Sequence, residues 1–186
     1  KLIKIMKNSI FKTIIFVTAI FLPFFVSAEV MITEIMYDLT GSDTEREWVE
    51  IYNSGESDIL IVAGSVKGSW RLIDSSARIL NLYQGKDTIK AGEYAIVARK
   101  PEQFLSEWPN FEGTIFGASI TLPNTTWNLS IRDGNGNILD QVSYLSDWGA
   151  KGDGNSLQKT KDVWIASSPT PGVPNNESVP SGTSNT

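Results

Sequence analysis

The chain has 186 residues, room for one domain with a sizeable core and a tail. At 41% hydrophobic and 20% charged residues, it has the make-up of a globular protein rather than a disordered one. With no Cys and no His, it excludes disulfides, thiolate nucleophiles, cysteine or histidine zinc sites, imidazole bases and a Ser-His-Asp triad.

Residues 1–28 read as a secretory signal peptide. Lys1, Lys4, Lys7 and Lys12 form a basic start, 13–26 is an apolar run broken by Pro23, and Val26-Ser27-Ala28 presents the cleavage positions. The run is shorter than the roughly 20 apolar residues a spanning helix needs. The expectation is a mature chain beginning at Glu29, secreted or held at the cell surface, touching a membrane only through this segment if it stays uncleaved. Cleavage removes four basic residues and no acidic one, leaving twelve Lys and Arg against 21 Asp and Glu, a net of −9. No block of basic residues follows Lys12, which argues against nucleic acid as a partner, because phosphate binding needs clustered cations.

The stretch 29–53 predicts two strands around a polar turn. Val30, Ile32 and Met36 alternate with Met31, Ile35 and Tyr37, so bulk lies on both faces; Trp48 to Tyr52 is aromatic and β-branched. A strand apolar on both sides belongs inside a packed structure. Further strands are expected at 59–62, 70–74, 78–83 and 94–98, with short pieces at 115–116 and 119–122. Pro101 and Glu102 suit a helix start and Pro109 stops it, so 101–108 is the one expected helix. Residues 127–132 and 138–144 alternate around Asp133-Gly134-Asn135-Gly136-Asn137, the clearest hairpin. A strand at 156–159 and the apolar pair Trp164 and Ile165 follow. The Ser, Pro, Thr, Gly and Asn from Ser167 to Thr186 read as a flexible tail or linker. The domain is therefore placed at 29–166, as an all-β sandwich or barrel with one short helix.

In this order, Ile-Thr-Glu-Ile-Met-Tyr (32–37), Glu-Trp-Val-Glu-Ile-Tyr-Asn (47–53), Trp-Arg-Leu-Ile-Asp (70–74), Ala-Gly-Glu-Tyr-Ala-Ile-Val-Ala (91–98), the run 129–144 and Gly-Asn-Ser-Leu-Gln-Lys (154–159) resemble the lamin tail domain. Trp164, Ser167 and Thr-Pro-Gly-Val-Pro-Asn (170–175) are similar to that family's end. The resemblance implies an immunoglobulin-like β-sandwich and a non-catalytic module. Combined with the signal-like start, it implies a bacterial-type exported member that binds a protein or glycan of the cell envelope or extracellular space.

Glu34 and Glu50 are the first functional question. On neighbouring strands they could form the carboxylate pair of a glycosidase-like enzyme; as structural residues they would accept hydrogen bonds from backbone, Arg46 or Arg71. The structural reading is preferred, with no catalytic residue and no cofactor expected. Asp133, Asn135 and Asn137 resemble part of a calcium loop, but Ile138 and Tyr144 stand where that loop needs Gly and an acid. Ser156-Leu157-Gln158-Lys159 spells Ser-x-x-Lys, as does Ser9-Ile10-Phe11-Lys12, which shows how little the pattern carries. Of six tryptophans, Trp48 and Trp70 are expected in the core. Trp108 and Trp148, in or near loops, are the candidates for ligand contact. A carbohydrate-binding sandwich using them is the alternative to a protein-binding module.

Overall fold

A computed structural model describes residues 29–161 and 163–176. The signal-like segment 1–28 and the tail beyond Asn176 lie outside these residues. Among the described residues two main sheets form the sandwich. The larger has seven strands in the order β13-β12-β1-β2-β8-β9-β6: Val163–Ser167, Ser156–Thr160, Val30–Met36, Trp48–Asn53, Tyr94–Ala98, Thr114–Gly117 and Asn81–Gln84. The smaller has four in the order β11-β10-β4-β5: Ile138–Leu145, Thr126–Arg132, Arg71–Ile73 and Ala77–Ile79. A two-stranded piece pairs β3 (Ile59–Leu60) with β7 (Thr88–Ile89). This is an immunoglobulin-like β-sandwich, as expected, with one α-helix among the described residues.

The first two strands sit where their two-sided bulk requires. β1 and β2 occupy the third and fourth places of seven, flanked by β12 and β8. Their inward residues Ile32, Ile35, Val49 and Ile51 meet Leu72, Leu129, Ile131 and Tyr144 of the other sheet in the main core. Their outward residues Met36 and Trp48 join Ile96, Ala98, Phe104 and Ile115 in a second core on the far side of the larger sheet. The helix α1 (Pro101–Glu107) covers that second core, with Phe104 edge-on to Trp48 at 5.6 Å between ring centres. It also links β8 to β9, which run parallel; parallel neighbours need such a crossover, while every other pair is an antiparallel neighbour.

Three local expectations change. The strand expected at 78–83 is two: it breaks at the fully buried Leu80, with β5 in one sheet and β6 at the edge of the other. Alternation alone does not reveal a strand that changes sheets. Residues 119–122 form no strand. Their backbone groups are met by side chains instead: Leu122 N–H donates to Glu47 (2.9 Å), Thr121 N–H to Asp74 (2.9 Å), and Arg99 donates to the Ile120 carbonyl (2.7 Å). Burial pushes the Asp74 carboxyl up, but hydrogen bonds from Arg78, Ser76, Thr121 and Ser75 outweigh it and hold the group below the usual aspartate range.

The third change concerns the segment after Ser167. Its composition predicts a frayed end, yet 168–176 is fastened along the larger sheet by a series of hydrogen bonds described below. The composition argument holds for a segment that must bury its own side chains; this one is held through its backbone and two Asn amides.

Candidate functional site

β1 and β2 pair so that Glu34 stands directly opposite Glu50, with a bulge between Ile32 and Glu34. Val49 and Ile51 point into the main core, so Glu50 projects to the outer face with Trp48, and Glu34 joins it there. Both glutamates are fully buried, because 168–176 crosses over them. Glu34 accepts from the Thr170 N–H (3.1 Å), the Gln158 amide (3.3 Å) and the Ser156 hydroxyl. Glu50 accepts from the Gly172 N–H (2.7 Å) and the Thr33 hydroxyl (2.7 Å). The bulge leaves the Thr33 carbonyl to the Asn175 amide, which donates to it at 2.7 Å and to the Lys159 carbonyl at 3.0 Å. Gln158 completes the fastening, donating to the Ser168 carbonyl (2.7 Å) and accepting from Asn176 N–H (3.1 Å).

The expected arginine donors are engaged elsewhere. Arg46 pairs with Glu107, and Arg71 donates to the Gly64 carbonyl and Ser69. Backbone N–H groups of a closely lying strap do the work assigned to a guanidinium. That close approach also needs glycine: Gly172 has φ 83°, and a Cβ there would stand 2.8 Å from the Phe111 ring.

Burial raises both carboxyls. Glu50 is pushed up to about 8, chiefly by desolvation and further by the Glu34 charge, against the lowering pull of Gly172 and Thr33. Glu34 is raised by burial, partly offset by Ser156, Thr170 and Gln158. A raised carboxyl pair is what an acid–base enzyme uses, but a glycosidase also needs an open space between its carboxylates for sugar and water. Here a packed strap fills that space and all four carboxylate oxygens already accept a hydrogen bond.

Next to the strap the same face opens into a groove of about 1010 Å³. Its floor is the cross-strand pair Tyr52 and Tyr94, with ring centres 4.6 Å apart and planes tilted by 32°. One wall is Pro171, Val173 and Pro174 of the strap; another is the loop carrying Trp108, Asn110 and Glu112. The hydroxyl of Tyr94 is pushed up to about 12 by burial, Glu50 and Tyr52, so it stays a hydrogen-bond donor throughout the physiological range. The residue pattern does contain a sign of this floor: Tyr52 follows Glu50, and Tyr94 precedes Ile96, by two positions on the same sheet face.

The two tryptophan candidates part company. Trp108 is half-buried, lines the groove and packs against the second core. Trp148 lies in the 3-10 turn Ser146–Trp148 and stacks on Trp164, rings 6.4 Å apart and inclined by 12°, and does not line the groove. It fixes β13 against that turn.

The Asp133 loop is a turn device. Its carboxylate accepts from the N–H groups of Asn135 (2.9 Å) and Asn137 (2.8 Å) and from the Asn137 amide (2.8 Å), which holds it below the ordinary aspartate range. Three donors thus occupy the oxygens a cation would need, and Asn137 presents its N–H₂ rather than its oxygen to Asp133. Millimolar calcium should leave the melting temperature unchanged; a calcium-dependent rise removed by Asp133→Asn would contradict this assignment.

Compared with known protein families, residues 25–146 match the family described as Lamin Tail Domain. No curated protein matches the chain.

Proposed function

The chain belongs to the lamin tail domain family, and from that premise we propose a non-catalytic module that works outside the cytoplasm, binding a protein or glycan of the cell envelope or extracellular space. The observation that carries this reading is the sealed Glu34–Glu50 pair: the two most strongly placed carboxylates of the sheet are spent on holding the chain's own strap. The absence of His and Cys from the sequence supports the same reading. So does the signal-like composition of 1–28, which supports export. Among the described residues no helix is long and apolar enough to cross a membrane.

Expression of the full chain in a bacterial host, followed by fractionation and N-terminal sequencing, tests the export half. Material outside the cytoplasm starting at Glu29 is the expected result; Lys1 retained on cytoplasmic protein would refute it. The binding half is tested by capture from solubilised cell envelope on the immobilised protein. Turnover of any substrate that disappears in a folded Glu50→Gln variant would overturn the non-catalytic reading.

A further inference from the structure

We propose that the groove floored by Tyr52 and Tyr94 is an oligosaccharide-binding site selective for neutral glycans; this rests on the binding-module reading above and specifies its ligand class. Three features of the groove converge on that chemistry.

The first is the combination of surfaces. A pyranose ring has an apolar C–H face and a rim of hydroxyls. The groove offers half-buried aromatic side chains, Tyr52, Tyr94 and Trp108, surrounded by the polar Asn110, Glu112 and Lys86. Its volume of about 1010 Å³ leaves room for several sugar units rather than one.

The second is charge. Lys86 and Lys90 face Glu93, Glu107 and Glu112 around the groove. Lys90 pairs with Glu93 at 3.6 Å and Glu107 with Arg46. Lys86 and Glu112 remain, one of each sign, so the site offers no field that would draw in a phosphate backbone or an acidic polysaccharide.

The third is the balance of donors and acceptors, which separates a sugar from a proline-rich peptide. A polyproline segment presents carbonyls and few N–H groups. Outside the two ion pairs the rim presents the Glu112 carboxylate and the Asn110 amide oxygen as acceptors, and these need a ligand that donates, as sugar hydroxyls do. The frame is also rigid beforehand: the floor belongs to paired strands and the strap wall is pinned at Gly172 to Glu50, so little ordering is left for binding to pay for.

The test is isothermal titration, with tryptophan fluorescence alongside, of the exported full chain with cellohexaose, chitohexaose, laminarihexaose, maltohexaose and xylohexaose. A proline-rich decapeptide and a single-stranded oligonucleotide serve as comparison probes. Saturable binding of at least one hexasaccharide is expected, weakened about tenfold or more by Tyr52→Ala and by Glu112→Gln. Glu112 is exposed, so its variant decides the matter even if Tyr52→Ala fails to fold. Silence from every hexasaccharide at millimolar concentration, binding of the peptide or oligonucleotide alone, or sugar affinity unchanged in both variants would overturn the proposal. Envelope capture that persists while all sugars fail would leave the binding-module reading standing and remove only the glycan site.

Discussion

Glu34→Ala will lower stability by about 3 kcal/mol and release the strap 168–176 to proteolysis. The reason is the number of groups that lose their partner together. Thr170 N–H, the Ser156 hydroxyl and the Gln158 amide all donate to this carboxylate in a site closed to water. An alanine leaves the Thr170 N–H buried and unsatisfied and strips the Ser156 hydroxyl and the Gln158 amide of their shared partner, with the Ser167 (3.4 Å) and Ser168 (2.7 Å) carbonyls left to them, a heavier cost than the modest net worth of the bonds themselves. Release of the strap then uncovers Glu50, whose Gly172 partner leaves with it. Urea titration measures the first effect. Cleavage by thermolysin, followed by mass spectrometry, measures the second. Glu34→Gln should fall between wild type and alanine, because its oxygen still accepts while its amide faces the Thr170 donors. An alanine variant within about 1 kcal/mol of wild type and equally protease-resistant would show that the strap is held mainly by its two Asn residues.

Stability will fall as pH rises from about 4.5 to about 8, and Glu50→Gln will flatten most of that slope. The direction follows from the raised carboxyl: Glu50 titrates near 4.5 when unfolded and is pushed up to about 8 when folded. Between these values the folded state holds a proton that the unfolded state has released, so each step up in pH favours unfolding. Glu34, raised by the same burial, adds to the slope with the same sign. Asp74, lowered in the fold, acts the opposite way but only as pH falls through and below 3.8. The optimum is therefore mildly acidic. The loss from pH 5 to pH 9 should be on the order of 4 kcal/mol, roughly 12 °C in melting temperature for a chain of this size. Glu50→Gln keeps an oxygen for the Gly172 N–H and cannot ionise. It should match wild type at pH 5 and melt above it at pH 9. Parallel pH profiles for the two proteins would mean that another group carries the dependence.

These two expectations also mark where residues alone ceased to be informative. The placement of β1 and β2 in the middle of a sheet was readable, because bulk on both faces of a strand demands neighbours on both faces. The helix was readable from Pro101 and Pro109, and the β10–β11 hairpin from its Asn-Gly turn, because both rest on contacts within a few positions. That Glu34 and Glu50 could meet was readable too. Sidedness along single strands likewise put Glu50 and Tyr52 on one face.

What closed over that face was decided only in three dimensions. The strap's closest donors to the two glutamates come from 136 and 122 positions away, and they are backbone N–H groups, which every residue but proline possesses and no sequence pattern singles out. The same holds for the docking of a segment whose composition argues for disorder: its order comes from the acceptors beneath it, not from its own side chains. The division of 77–84 at Leu80 and the pairing of Tyr52 with Tyr94 as the floor of a groove are likewise products of strand order. Local periodicity and turn chemistry thus determined the elements, because they act over a few residues. The site was determined by the packing of distant segments, because a buried charge takes whichever donor the fold brings within reach.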